Sequence, residues 1–238
     1  DYEVCEAASV TEALAAARSR VGPAWVGVDR AASTVELRLP GAMLDLGGIA
    51  KGWTLDRLAG KLREAGVSRA LLAFGQSSIC ALGKPAGWDG WGILLGDASG
   101  GFAGTAQLDD RSISVSGSLG QYAEIAGRRY GHVIDPRTGE PLTRARVAAA
   151  LAADGARAEA LSKALLILGE RDGIELLESL PDAEGILIDE SGASWQTFDS
   201  NVDSDYKETK PQLAVQIGNI RVEGAAGGNG VQPRHRAV

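Results

Sequence analysis

The order of the predicted strands and helices is the feature that most constrains the fold of this chain. A helix over 10–20 and two short strands, 25–28 and 34–39, come first, and a helix over 49–65 follows. Later segments are predicted as strands at 70–74, 91–95, 100–108, 112–115 and 184–189, as helices at 156–168 and 172–179, and as either a strand or a helix start at 147–153. Because these elements lack the regular alternation of a doubly wound sheet, we predict an α+β fold with mixed sheets and packed helices.

The character of the sequence changes near its C-terminal end. Residues 201–210 are polar, 213–222 have the pattern of a late strand, and 224–238 are rich in glycine. Polar and glycine-rich composition is typical of a flexible tail. We therefore predict one domain over residues 1–197 and a C-terminal extension over 198–238.

Composition excludes several classes of protein. The 238 residues are 45% hydrophobic, which is enough for one sizeable core. The net charge of -7 argues against nonspecific binding of nucleic acid, since such binding needs a basic surface. Cys5 and Cys80 are the only cysteines, so neither a disulfide framework nor a cysteine-based metal site is predicted, and Cys80 lies in an apolar run typical of a buried position. No run is long enough for a transmembrane helix, and no signal segment opens the chain.

Residues 44–52 place two glycines and a lysine at the start of the second predicted helix. The run reads Leu-Asp-Leu-Gly-Gly-Ile-Ala-Lys-Gly. Glycines let a backbone approach a ligand closely, and the first turn of a helix offers N–H groups to an anion. Lys51 would add a point charge for a phosphate. The spacing matches neither a Walker A loop nor a Rossmann fingerprint, so the residues alone favour a tight strand-to-helix turn with a solvent-exposed lysine.

Residues 130–139 contain His132, one of two histidines in the chain. The run reads Tyr-Gly-His-Val-Ile-Asp-Pro-Arg-Thr-Gly. Histidine is the side chain most easily used as a base near neutral pH, and Asp135 with Pro136 starts a turn in which Gly139 permits a tight backbone. The residues alone favour the alternative, in which His132 is a strand residue bonded to a backbone carbonyl.

Both segments resemble motifs of the ApbE family of FAD:protein FMN transferases, which attach FMN to other proteins. The run Asp-Leu-Gly-Gly-Ile-Ala-Lys-Gly, followed by an aromatic residue and then Asp56, is similar to one motif, with Trp53 where a tyrosine is common. The run around His132 is similar to the family's His-Ile-Ile-Asp-Pro-x-Thr-Gly. The resemblance covers roughly residues 11–192 and favours the functional interpretation of both segments.

The resemblance implies FAD as a substrate and a set of residues that contact it. The family's histidine lies near the flavin phosphates and has been suggested to activate the acceptor hydroxyl, which implies a catalytic role for His132 and for the nearby carboxylate of Asp135. At 74–78 the family commonly has Gly-Gly-Asp or Gly-Gly-Asn, so Gln76 would narrow the pocket, and an ordinary strand end is the alternative. The implied flavin-binding residues are Gly47, Gly48, Lys51, Asp56, Gly75, Ser77, Ser116, Gly117, His132, Ile134 and Thr138.

The segment 158–165 departs from the family at two positions. The family usually shows Ala-Asp-Ala-Leu-Ser-Thr, and its Asp and Thr help to bind magnesium together with a backbone carbonyl that corresponds to Ala50. This chain has Glu159 and Lys163 instead. Glutamate is still an oxygen ligand for a hard cation, but an ammonium has no lone pair and cannot ligate a metal. The two residues also have the order favoured for a helical salt bridge, worth about 0.2–0.5 kcal/mol.

Three interpretations of Lys163 follow from this substitution. The side chain points away and leaves magnesium binding partly intact, or it replaces the charge of the metal beside the FAD pyrophosphate, or the site is degraded. The sequence alone leaves all three open.

The implied activity is the transfer of FMN from FAD to a Ser or Thr hydroxyl of a partner protein, with release of AMP. One alternative is a catalytically impaired FAD-binding protein, motivated by Lys163, Gln76 and the apparent loss of the family's N-terminal portion. Another is an FAD pyrophosphatase, in which water takes the place of the acceptor. The family's acceptors suggest an electron-transfer flavoprotein as partner and a periplasmic or inner-membrane-associated location, with the cytoplasm as the alternative.

Overall fold

The structure is a computed structural model that describes residues 9–125 and 127–197. The described residues form two compact units. The smaller unit is drawn from Asp1–Leu46 and Ile134–Pro141, and the larger unit from Gly47–Val133 and Leu142–Val238. The predicted strand at 213–222 and the predicted extension over 198–238 lie outside the described residues.

The smaller unit contains one helix and one hairpin. Helix α1 (Val10–Arg18) starts after Ser9, whose extended backbone and hydroxyl, which accepts from the Glu12 amide at 3.2 Å, make it the N-cap. A short 3₁₀ turn at Pro23–Trp25 leads into strands β1 (Val26–Asp29) and β2 (Thr34–Leu37), which pair antiparallel. The predicted helix and strands of this region are therefore confirmed, with ends shifted by one or two residues.

The larger unit contains the remaining elements. Its helices are α2 (Ala50–Glu64) and α3 (Gly155–Glu178). Its strands, in chain order, are β3 (Ala70–Phe74), β4 (Ser78–Leu82), β5 (Trp91–Gly96), β6 (Phe102–Leu108), β7 (Ser112–Gly117), β8 (Tyr122–Ile125), β9 (Arg128–Gly131), β10 (Arg146–Ala152), β11 (Glu184–Asp189) and β12 (Ser194–Gln196). Six of these strands form an antiparallel sheet in the order β12-β11-β10-β7-β4-β3, and β5-β6 and β8-β9 are separate hairpins.

The six-stranded sheet is covered on both faces. Alternation along each strand sends neighbouring side chains to opposite faces, so Ala148 and Ala150 of β10 meet α3 while Ala149 and Leu151 pack with the β5-β6 hairpin. Helix α2 packs beside α3 on the helical face, over Cys80 and Leu82 of β4. Cys80 is buried, as predicted, and burial raises the pKa of its thiol.

The α+β prediction is confirmed. The two helices predicted at 156–168 and 172–179 are present as the two halves of α3, which are separated at Gly169 by its non-helical backbone with a φ of 85°. The ambiguous segment 147–153 is a strand. In the described part of the chain, no helix is both long enough and apolar enough to cross a bilayer.

Candidate functional site

Residues from three distant segments of the larger unit converge at the first turn of α2. Lys51 lies in that turn and donates from Nζ to the hydroxyl of Ser77, which lies between β3 and β4. The same ammonium is 3.9 Å from Oε1 of Glu159 on α3. Lys51 is about one-third exposed, with a side-chain accessibility of 34%, so it remains open to a ligand. The alternative of a solvent-exposed lysine is therefore wrong, since Lys51 is partly buried and bonded to Ser77.

Glu159 is the buried anion at the centre of this cluster. Its side chain has an accessibility of 0%, and its Oε2 accepts from the Gly52 amide at 2.7 Å. A carboxylate at a helix N-terminus is favoured by the helix dipole, so Glu159 occupies a position that an external anion would also favour. Its Oε1 makes no hydrogen bond within the described residues and is balanced by two ammoniums at ion-pair distance.

Lys163 is the second of these ammoniums and points into the cluster. Its Nζ lies 3.5 Å from Glu159 Oε1 and donates to the Glu159 backbone carbonyl at 3.4 Å. Its aliphatic part runs along the glycine turn, because a Cβ built on Gly48 would lie 3.5 Å from Lys163 Cδ and Cε. The helical salt bridge predicted for Glu159 and Lys163 is thus confirmed, and the interpretation in which Lys163 points away is wrong.

The partial burial of Lys163 makes the charged form of its ammonium less favourable than it is in water. Burial is the main cause that lowers the pKa of Lys163. The Glu159 carboxylate opposes this change, whereas the Lys51 ammonium lowers the Lys163 pKa further. Two ammoniums beside one carboxylate leave a surplus positive charge, which an anionic ligand would stabilise.

Helices α2 and α3 cap each other at this site. The Asp56 carboxylate of α2 accepts from the amides of Gly155 and Ala156, at 2.6 and 2.9 Å, at the start of α3. Glu159 of α3 accepts in turn from Gly52 at the start of α2. The crossing is close, since a Cβ on Gly52 would lie 2.1 Å from the Gly155 carbonyl oxygen. Asp56, predicted to bind flavin, therefore has a structural task, and its contact with flavin stays a prediction.

A line of serines connects β7 to the cluster. The predicted residue Ser116 lies 2.8 Å, hydroxyl to hydroxyl, from Ser162, which donates to the Glu159 carbonyl at 3.0 Å. Sequence reasoning missed Ser162, although it stands beside Lys163 in the segment that resembles the family. Of the predicted glycines, Gly75 has a φ of 66° in the β3-β4 turn, which favours glycine, and Gly117 ends β7.

His132 follows β9 in the larger unit and has one ring nitrogen engaged. Its Nδ1 lies 3.0 Å from the Gln121 carbonyl oxygen. Because a carbonyl only accepts, Nδ1 carries the proton in the neutral ring, and Nε2 keeps a lone pair. The carbonyl bond expected for a purely structural histidine is therefore present, yet the exposed ring retains the nitrogen that a base requires.

Three predicted site residues, Ile134, Asp135 and Thr138, belong to a turn of the smaller unit. Asp135 is held by the backbone amide and the guanidinium of Arg137, with Nη2–Oδ2 at 2.7 Å, and this guanidinium lowers the pKa of the carboxyl. Thr138 Oγ1 accepts from the Glu140 amide at 3.1 Å, and Ile134 forms a bridge with Pro141. A carboxylate with a lowered pKa is a weak base, so these contacts favour a turn-forming task for Asp135, and its catalytic role stays a prediction.

The predicted magnesium ligands Ala50 and Glu159 do not fit a divalent cation. Mg²⁺ takes near-octahedral oxygen ligands at about 2.0–2.1 Å. Glu159 Oε2 is bonded to Gly52, its Oε1 faces two ammoniums, and the Ala50 carbonyl accepts from the Thr54 hydroxyl at 2.7 Å. Among residues 9–125 and 127–197, no group of three or more His, Cys, Asp or Glu side chains is placed to hold a metal.

Comparison with known proteins connects this geometry to one family. The model of the ApbE family matches residues 5–187. A FAD:protein FMN transferase of Klebsiella pneumoniae (strain 342) is 31% identical over 192 residues, which cover 79% of this chain and 57% of the relative.

Solved structures show the same relationship. The ApbE protein of Thermotoga maritima has a TM-score of 0.70 at 25% identity, over 82% of this chain and 62% of that one. The apo form of the flavinyl transferase ApbE of Pseudomonas stutzeri has a TM-score of 0.65 at 25% identity, over 81% and 59%. The chain thus spans less than two thirds of the length of the relatives it matches.

Proposed function

The chain belongs to the ApbE family, and we propose that it is an FAD:protein FMN transferase. In this proposal, residues 1–197 form the transferase domain, and FMN moves from FAD to a Ser or Thr hydroxyl of a partner protein. The observation that carries the proposal is the convergence of Lys51, Ser77, Glu159 and Lys163 at the first turn of α2. These residues lie in segments that are far apart in the sequence, and their surplus positive charge suits the pyrophosphate of FAD.

Binding of FAD relies on charge and on close backbone approach. The pyrophosphate carries a negative charge on each phosphate, and Lys51 and Lys163 are the ammoniums available to it in the cluster. Gly48 lies beside Lys163 and Gly75 stands two residues before Ser77 in the sequence, and the lack of a side chain at both would let the nucleotide approach the backbone. The helix start contributes further, since its dipole favours anions.

The chemical step exchanges the phosphoanhydride bond of FAD for a phosphate ester bond to the acceptor. The acceptor hydroxyl oxygen bonds to the FMN phosphorus, the bond from that phosphorus to the bridging oxygen breaks, and AMP leaves with that oxygen. The hydroxyl proton passes to a base, for which His132 Nε2 is the candidate, and is then available to the departing AMP. The positive charge of Lys51 and Lys163 stabilises the oxygens on which charge builds up. No step requires a metal.

The partner and the compartment are proposals drawn from the family resemblance. We expect the acceptor to be an electron-transfer flavoprotein that exposes a Ser or Thr hydroxyl. The expected location is the periplasm or the surface of the inner membrane, and the cytoplasm remains the alternative.

The test is covalent flavin transfer in vitro. The protein is incubated with FAD and a candidate acceptor, and the acceptor band is examined for flavin fluorescence on a denaturing gel while AMP is measured by chromatography. Release of AMP with FMN in the absence of acceptor would instead support a pyrophosphatase. FAD binding without AMP release would support a catalytically impaired binding protein.

A change at His132 tests the assigned base. His132→Gln is expected to slow transfer by about 10²–10⁴-fold at saturating FAD, the usual contribution of a general base. Lys61→Met is the matched control, because Lys61 is an exposed residue of α2 outside the cluster. If His132→Gln transferred flavin at the original rate, the assignment of His132 would be wrong, although the transferase proposal would stand.

A further inference from the structure

The position of Lys163 indicates which cation neutralises negative charge at the candidate site. Its Nζ lies within 3.5 Å of both a carboxylate oxygen and the backbone carbonyl oxygen of residue 159. A small cation at this place would use the same two oxygens. The ammonium therefore occupies the space in which a divalent ion bound by Glu159 would lie.

The remaining contacts of the cluster hold the ammonium there. The Lys163 stem passes Gly48, with Cδ and Cε 3.5 Å from the position that a Cβ on this residue would take, which is an ordinary contact distance. Glu159 is itself fixed by the Gly52 amide, so its Oε1 stays directed at the two lysines. A divalent ion on Oε1 would have both ammoniums as near neighbours, and like charges at such distances repel strongly.

We propose that Lys163 is a tethered cation that replaces a divalent metal, so that this chain binds the pyrophosphate of FAD without added metal. The proposal rests on the proposed function, since it names how the same site neutralises its substrate. Lys51 and Lys163 together exceed the charge of Glu159, which leaves a net positive charge for the anion. In the free protein this surplus is unfavourable, and FAD would relieve it.

The first experiment compares FAD binding by the whole chain in two buffers. Purified protein is titrated with FAD in EDTA and in millimolar MgCl₂, and binding is followed by calorimetry and by quenching of flavin fluorescence. We expect the same dissociation constant in both buffers. A separate titration of Mg²⁺ into the protein without FAD is expected to give no binding heat.

Variants of Lys163 identify the source of the charge. Lys163→Met keeps the length of the side chain and removes the ammonium, so FAD affinity in EDTA is expected to fall by about 10- to 100-fold, the effect of losing a charged hydrogen bond. Lys61→Met removes a positive charge elsewhere and is expected to leave the affinity unchanged. The double variant Glu159→Asp with Lys163→Thr supplies oxygen ligands in place of the ammonium and is expected to bind FAD more tightly when Mg²⁺ is added.

The outcomes separate this inference from the proposed function. FAD binding by the original chain that appears only with Mg²⁺ would overturn the tethered cation and leave the transferase proposal intact. Unchanged FAD affinity in a folded Lys163→Met protein would also overturn the tethered cation without affecting the transferase proposal. Absence of FAD binding in both buffers would overturn both. The comparison of FAD binding in EDTA and in MgCl₂ uses the original chain. It therefore tests the tethered cation even if a substitution prevents folding.

Discussion

The two motifs that point to flavin are built in opposite ways. At the start of α2, the partners of Lys51 and Gly52 come from distant parts of the chain, namely Ser77 and Glu159, and the central carboxylate is fully buried. In the turn 134–139, Asp135 is bonded to Arg137 and Thr138 to Glu140, only two residues away. The first motif therefore depends on the docking of two helices, whereas the second depends mainly on turn chemistry.

This difference has a consequence for mutation. Changes at the α2 start should disturb the stability of the larger unit and FAD binding together, because in the proposed function the same contacts serve both. Changes in the turn should cost less free energy, because its hydrogen bonds are short-range and partly exposed to water. The four predictions below test this contrast.

Gly52→Ala is expected to have the largest effect. Its Cβ would lie 2.1 Å from the Gly155 carbonyl oxygen and 2.7 Å from the Ala156 nitrogen, and these backbone atoms cannot rotate away. Helices α2 and α3 would have to separate, which we expect to lower the free energy of unfolding by about 3 kcal/mol. Urea denaturation followed by circular dichroism measures this loss.

Gly60 of the same helix provides the control for Gly52. No atom lies within 4 Å of a Cβ built on Gly60. Gly60→Ala should therefore stabilise the protein by about 0.5–1 kcal/mol through helix propensity. Equal stability of the two variants would show that the close helix crossing is wrong.

Glu159→Gln is expected to have the next largest effect. The amide still accepts from Gly52, but the two ammoniums lose their shared counter-charge. We expect a loss of about 2 kcal/mol, below the 3–5 kcal/mol typical of a fully buried pair, because both lysines are partly exposed. Denaturant titration gives the value.

A double variant separates charge from packing in that result. Adding Lys163→Met to Glu159→Gln removes one of the unpaired ammoniums, so part of the lost stability should return. If the stability lost in the double variant equals the sum of the losses in Glu159→Gln and Lys163→Met, the two residues do not interact. That result would contradict the cluster.

Gly139→Ala is expected to cost about 1–2 kcal/mol, mainly because its φ of 76° is unfavourable for alanine. Its Cβ would also lie 2.8–2.9 Å from side-chain atoms of Arg18 and Leu14 on α1. Gly192→Ala is the control, because Gly192 has a φ of 82° and nothing within 4 Å of its Cβ. If the melting temperature falls further in Gly139→Ala than in Gly192→Ala, the turn also depends on its packing against α1.

Asp135→Asn is expected to have the smallest effect, below about 1 kcal/mol, since the Arg137 side chain is half exposed. Because the folded-state pKa of Asp135 is lowered, the ionised carboxylate stabilises the fold. This contribution is present above the unfolded pKa of about 3.9 and is lost as the pH falls through the folded pKa. Melting temperatures of variant and original chain should therefore differ at pH 7 and converge in strong acid. A constant difference across that range would exclude the ion pair as its source.

The sequence predicted elements best where the pattern is local. The strands β3 and β11 have the predicted bounds, because each is an apolar run closed by turn residues. Strand β4 was missed, although Ser78–Leu82 is also a short and largely apolar run and all five of its residues are buried. The break between the two helical halves of α3 was located correctly at Gly169, because a glycine after an apolar-periodic run is a typical helix end.

The site was predictable only in part for the same reason. Motif resemblance selected Lys51, Ser77 and Glu159, which the structure brings together. It did not predict that Glu159 binds the Gly52 amide or that Asp56 binds the start of α3. Such contacts join segments about a hundred residues apart, and no local pattern specifies which distant carboxylate completes a helix end.

The contacts between the starts of α2 and α3 have a consequence for co-translational folding. The Glu159 carboxylate that binds the Gly52 amide is encoded 107 residues later, whereas the Asp56 carboxylate that binds the Gly155 amide, 99 residues earlier, is already made when Gly155 is added. Helix α3 also has its own N-cap in Asp154, so only α2 lacks a partner for its first turn during synthesis, and the cluster of Lys51, Glu159 and Lys163 is absent from any nascent chain that lacks α3. Under the proposed function, a stalled or truncated product of that kind would be unable to bind FAD at this cluster.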